Sequence, residues 1–202
     1  VSFYNETEIR AISPTPTIGG VGLIKNLDFM VTKDLKEIGS NILVIGKTLG
    51  HLNQSEFYRE VLEFYQGPPP EINLFNEKNN GLIVKKLISQ KLLKSVHDIS
   101  SGGILVSITE MCISGKIGVK IKVPQSKLNL YEYLFSEDQS RYLLEVNDKN
   151  KDVVTKILKE NSIHYEIIGK TQEDSLEIDK EFNIKVEELN RLNSYWFRNY
   201  FK

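Results

Sequence analysis

Val96-His97-Asp98-Ile99-Ser100-Ser101-Gly102-Gly103, running directly into Ile104-Leu105-Val106-Ser107-Ile108-Thr109-Glu110-Met111-Cys112, is the stretch on which the reading of this chain turns. A short strand, Leu92 to Asp98, ends in a carboxylate, two hydroxyls and two glycines, and an amphipathic helix follows at once. The first turn of a helix has free backbone N–H groups and the positive end of the helix dipole, so an anion can be held there. Glycines let a phosphate come close to the backbone, and Asp98 could carry a divalent cation beside it. The simpler reading of the same residues is a hydroxyl N-cap with Asp98 as a turn former.

Composition narrows the field. The chain has 202 residues, 40% of them hydrophobic and 26% charged, as in ordinary globular domains, and is long enough to bury a core in one or two domains. With 26 basic against 27 acidic residues, it lacks the basic footprint of a nucleic-acid binder. Cys112 is the only cysteine, which excludes an internal disulfide and a cysteine-based zinc site and points to a reducing, cytoplasmic setting. No apolar run approaches the roughly twenty residues needed to cross a bilayer, and no signal peptide is visible. The chain opens on Val1-Ser2-Phe3-Tyr4-Asn5-Glu6, which alternates like the middle of a strand and suggests a piece cut from within a longer domain.

Working outward, helices interleave with short alternating strands, which predicts an α/β (α+β) fold: a mixed sheet covered by helices. Upstream, Val1 to Glu6 and Thr17 to Ile24 read as strands, and Asn26 to Ser40 as a linker with one turn of helix. Asn41 to Gly46 is a strand, Ser55 caps a helix through Tyr65, and Leu74 to Gln90 is a second helix, with the poor helix formers Asn79-Asn80-Gly81 in its middle. Downstream, strands are expected at 119–123, 141–146, 165–169, 175–178 and 183–186, with helices at 128–135, 153–161 and 186–201. Leu189, Leu192, Trp196 and Tyr200 form a stripe on the last helix whose expected role is packing.

Other motifs fall away. Gly46-Lys47-Thr48 and Gly169-Lys170-Thr171 lack the glycine five positions earlier that a phosphate loop requires, those places holding Asn41 and His164. His51, His97 and His164 are scattered, and the Gly-x-Ser-x-Gly elbow of a hydrolase is absent. Glu137-Asp138-Gln139-Ser140-Arg141 reads either as a charged surface turn or as a cluster of metal ligands and hydrogen-bond donors beside Asp98.

Taken together, Val1-Ser2-Phe3-Tyr4-Asn5-Glu6-Thr7, Pro14-Thr15-Pro16, Val21-Gly22-Leu23-Ile24, His97-Asp98-Ile99-Ser100-Ser101-Gly102-Gly103 and Leu134-Phe135-Ser136-Glu137-Asp138-Gln139 resemble one family. The chain is similar to the C-terminal part of phosphoribosylformylglycinamidine synthase, in the synthetase subunit of its small, multi-subunit form. The resemblance implies a truncated tail of a second A domain over 1–38. Residues 39–202 would then form a second B domain, like the C-terminal domain of aminoimidazole ribonucleotide synthetase. It also implies ATP and Mg2+ as cofactors, formylglycinamide ribonucleotide and ammonia as substrates, and a glutaminase subunit, a small bridging subunit and the N-terminal half of the same protein as partners.

Residue by residue, the family's Gly-Asn-Val-Ser ends at Val1 and Ser2, so the resemblance implies a substrate contact at Ser2, with no catalytic residue in this chain. In the large single-chain form, His-Asp-x-Ser belongs to an auxiliary nucleotide site. This would make Asp98 a magnesium ligand and Ser100 a nucleotide contact. The chain departs from the family's Ser-Asp-Gly-Gly by carrying Ser101, and has extra residues around His51 to Gln54. Two rivals stand beside the inactive-fragment reading: an aminoimidazole ribonucleotide synthetase relative, and a structural or nucleotide-sensing module without catalysis.

Overall fold

Asn41-Ile42-Leu43-Val44-Ile45 is buried on both faces, and the sheet is laid out around it. The computed structural model describes residues 6, 18–24, 26–125, 127–179 and 181–200. In chain order the elements are β1 (Asn41–Ile45), α1 (Leu74–Ser89), β2 (Ser95–Asp98), α2 (Gly103–Gly115), β3 (Gly118–Ile121), α3 (Leu130–Phe135), β4 (Tyr142–Val146), α4 (Asp148–Glu160), β5 (Tyr165–Gln172), β6 (Ser175–Ile178), β7 (Phe182–Lys185) and α5 (Val186–Tyr200). The seven strands form one sheet in the order β2-β4-β1-β5-β3-β6-β7. All pairings are antiparallel except β3 with β6, so the sheet is mixed, as the sequence predicts.

Strand alternation sends successive side chains of β1 to opposite faces. Ile42 and Val44 meet α2 and α3 through Ile104, Ile108 and Leu134. Leu43 and Ile45 meet α1 and α4 through Val84, Leu87, Val154 and Leu158. Helices therefore cover both faces of the central strands, and this is why β1 is a continuous apolar run although both of its neighbours are antiparallel.

The segment before β1 is tied to the sheet rather than hanging from it. Glu145 on β4 is wholly buried, and its carboxylate accepts from Lys36 N–H, Glu37 N–H and the Ser95 hydroxyl, each at 2.9 Å. Leu35 enters the core, the Val96 N–H donates to Thr32 O, and the Thr171 hydroxyl donates to Glu37 O. A buried carboxylate survives because its oxygens are saturated by donors.

Several expectations change. Residues 18–24 form no strand, and Val21 and Leu23 are fully exposed, whereas the strand expected at Val1 to Glu6 lies outside the described residues except for Glu6. The helix expected from Ser55 to Tyr65 shrinks to one π-helical turn at Phe57–Val61, broken by the left-handed Glu63. On α5 only Val186 is buried and Leu189 packs partly on the core. Leu192 and Trp196 are exposed, so the expected packing stripe fails beyond the first turn.

Two measurements probe this frame. Glu145→Ala strands three donors and should lower stability by about 3 kcal/mol in urea unfolding, with Glu145→Gln milder. Burial pushes the Cys112 thiol up to about 12 from 9.0. The unfolded thiol thus ionises first, and its contribution is whole below pH 9 and is lost as pH rises towards 12, at about 1.4 kcal/mol per pH unit. The unfolding free energy of the parent should fall more steeply across that window than that of Cys112→Ala.

Candidate functional site

The junction of β2 and α2 brings together the residues singled out from the sequence. Asp98 and Ser100 are both exposed, at the end of β2 and in the turn that follows. Asp98 pairs across the sheet with Tyr142, and one of its oxygens lies 3.1 Å from His97 Nδ1. The other ring nitrogen of His97 lies 2.7 Å from Glu110 on α2, which also accepts from Lys33 at 2.9 Å. Burial pushes the Glu110 carboxyl up, but hydrogen bonds from His97 and Lys33 outweigh it and hold it below the usual carboxylate range. Burial, with the Glu77 and Asp98 carboxylates nearby, raises the Tyr142 phenol, and Glu77 Oε2 is buried without a hydrogen-bond partner among the described residues.

The start of α2 is not the open anion cradle that its glycines suggest. No side chain caps it, so Ser100 and Ser101 do not play the N-cap role expected of them. Instead the Glu137 carboxylate accepts from Gly102 N–H at 2.7 Å and from Glu56 N–H at 2.8 Å, placing the protein's own anion at the positive end of the helix. Gly103 N–H donates to Ser100 O. Gly103 has φ +67°, and a Cβ there would stand 2.6 Å from Ser136 O and 2.7 Å from Leu134 O. Its lack of a side chain lets α2 press against the carbonyls that end α3, which is packing rather than phosphate binding.

Glu137 to Arg141 is neither a surface turn nor an open ligand cluster. Asp138 is buried, and its carboxylate accepts from the N–H groups of Leu49 at 2.8 Å, Gly50 at 3.0 Å and His51 at 3.4 Å. Arg141, 2% exposed, donates to Asp138 O, Ser136 O and the Thr48 hydroxyl. Burial lowers the Arg141 pKa, and the charge of Asp138 opposes that shift. The signal available in the sequence was an Arg closing a short acidic turn directly before an apolar strand.

The donor set bears on magnesium. Among the described residues no three His, Cys, Asp or Glu side chains lie together as a metal-holding group. Asp98 offers a single carboxylate, a set that Mg2+ accepts when phosphate oxygens and water complete its octahedron. Ser2, the implied substrate contact, lies outside the described residues.

The fold and this junction define an α/β domain, a mixed seven-stranded sheet covered by helices on both faces. Residues 30–180 match the family model described as AIR synthase related protein, C-terminal domain, and the chain belongs to that family. It is 51% identical over 200 residues to the phosphoribosylformylglycinamidine synthase subunit PurL of Pelagibacter ubique, an alignment covering 99% of this chain and 27% of that protein. The subunit PurL of Rhodopseudomonas palustris strain HaA2 is 40% identical over 200 residues, with the same coverage of both chains. The solved structure of Thermotoga maritima PurL complexed with FGAR has the same fold, with a TM-score of 0.66 at 18% identity over 81% of this chain and 30% of that one. The chain thus spans about a quarter of the length of the curated relatives it matches.

Gly103→Ala tests the packing role. It should destabilise the chain by more than about 2 kcal/mol through a clash and a disfavoured φ, seen as a lower denaturation midpoint.

Proposed function

We propose that this chain is part of the ATP-dependent carbon–nitrogen ligase that makes formylglycinamidine ribonucleotide in purine biosynthesis. The observation that carries the reading is the 51% identity to a PurL subunit along nearly the whole chain. In the reaction, ATP would phosphorylate the amide oxygen of formylglycinamide ribonucleotide, and ammonia would add to that carbon and displace phosphate, leaving ADP. Thermotoga maritima PurL solved with ATP, ADP and FGAR, and within PurLQS, supports nucleotide and ribonucleotide ligands and a multi-subunit setting for the parent. A glutaminase subunit that supplies ammonia, a small bridging subunit, and a cytoplasmic location belong to the same proposal. Residues 1–38 would be the tail of a second A domain and 39–202 a second B domain, with 32–38 lying as a strap along the B domain. Only Ser2 of the main site would lie in this chain, so the chain alone is expected to be inactive.

Within the chain, the Asp98–Ser100 turn would serve an auxiliary nucleotide. Asp98 would give one carboxylate to magnesium and Ser100 a hydroxyl to the nucleotide, a role supported by the exposure of both on one strand–helix junction. Magnesium there would screen the phosphates; the chain's own part is to hold and orient. Calorimetric titration with ADP and Mg2+ should give saturable heat, weakened about tenfold or more in Asp98→Ala. A flat titration would leave the junction a structural turn.

A further inference from the structure

The geometry points to a second ligand site, for a small phosphate ester rich in hydroxyls, in a cleft of about 270 Å³ between the start of α1 and the loops that leave β1 and enter β5. It goes beyond the ligase reading and does not rest on it, since no residue of the Asp98–Ser100 turn lines this cleft.

The cleft begins in an oddity of α1. Asn73, Asn76, Asn79 and Asn80 recur at helical spacing, in a helix whose interior would be better served by other residues. Two of them have structural duties: Asn73 caps the helix at the Asn76 N–H, and buried Asn80 donates to Ser140 O at 2.8 Å. Asn76 and Asn79 have none. Their side chains, and that of Lys47, make no hydrogen bond or ion pair with any described residue, and all three line the cleft. Ser162, His164 and Phe75, the last 74% exposed, also line it.

The chemistry of the lining selects the ligand. Lys47 is the one formal charge in this cleft, and no carboxylate lines it, which argues against a metal ion or an organic cation and for an anion. Lys47 and Asn76 also line an adjoining hollow that holds two carboxylates: Asp138, saturated by three backbone N–H groups, and the exposed Glu71. Primary amides both donate and accept, so free Asn76 and Asn79 suit vicinal hydroxyls, which do the same. A phosphate on Lys47 with sugar hydroxyls on the asparagines fits the cleft's size and donor pattern.

Ribose 5-phosphate, inorganic phosphate and ribose, titrated separately into this chain by calorimetry, test the inference. Ribose 5-phosphate should bind saturably in the millimolar range or tighter, and better than either inorganic phosphate or ribose. Lys47→Ala should weaken it about tenfold, a charged hydrogen bond's worth, and Asn76→Ala combined with Asn79→Ala by a similar factor. These are surface positions, so unchanged circular dichroism and melting would exclude unfolding as the cause. No saturation by about 10 mM, an unchanged affinity in both variants, or inorganic phosphate binding as tightly as the sugar phosphate would each overturn the site. Asp98→Ala should leave ribose 5-phosphate binding intact, which separates this site from the proposed auxiliary nucleotide turn.

Discussion

Charged residues in the turn between α3 and β4 hold one end of this domain together. Glu137 and Asp138 accept backbone N–H groups from three separate segments: 49–51, Glu56 and Gly102. Arg141 in turn takes up carbonyls of the turn itself and the Thr48 hydroxyl. Backbone donors and acceptors satisfy these groups, and the charges of Asp138 and Glu137 oppose the burial cost of the Arg141 guanidinium. The loops after β1 and the start of α2 are therefore set by one shared electrostatic knot, not by their own preferences.

That knot also explains why the glycines of Ser-Ser-Gly-Gly do something other than expected. A helix start attracts an anion, and here the nearest anion is Glu137. Gly103 is needed because α3 ends against it. The groups left for outside ligands are Asp98 and Ser100 at the β2–α2 turn and Asn76 and Asn79 on α1.

Membership of the AIR synthase related family accounts for the sheet and its helical covers, yet the same fold serves several chemistries. The roles proposed for this chain are a substrate contact at Ser2 and, at a separate auxiliary site, Asp98 and Ser100.

Local patterning was enough for much of the architecture. The apolar run at 42–45, the alternation at 142–146 and the helical spacing of 153–158 each announce an element, because their periods reflect which faces are covered. Patterning misled at 18–24, where an apolar stretch found no strand to pair with, and on α5, where a regular stripe stays exposed past Leu189. The sequence alone also carried the family resemblance and, with it, Asp98 and Ser100 as candidates. Only the tertiary structure decided that Glu137 fills the helix start, that Glu145 fastens the strap before β1, and that the asparagines of α1 face a cleft. Those outcomes depend on contacts between residues 35 to 109 positions apart, and no short-range preference encodes which distant donor a carboxylate will meet.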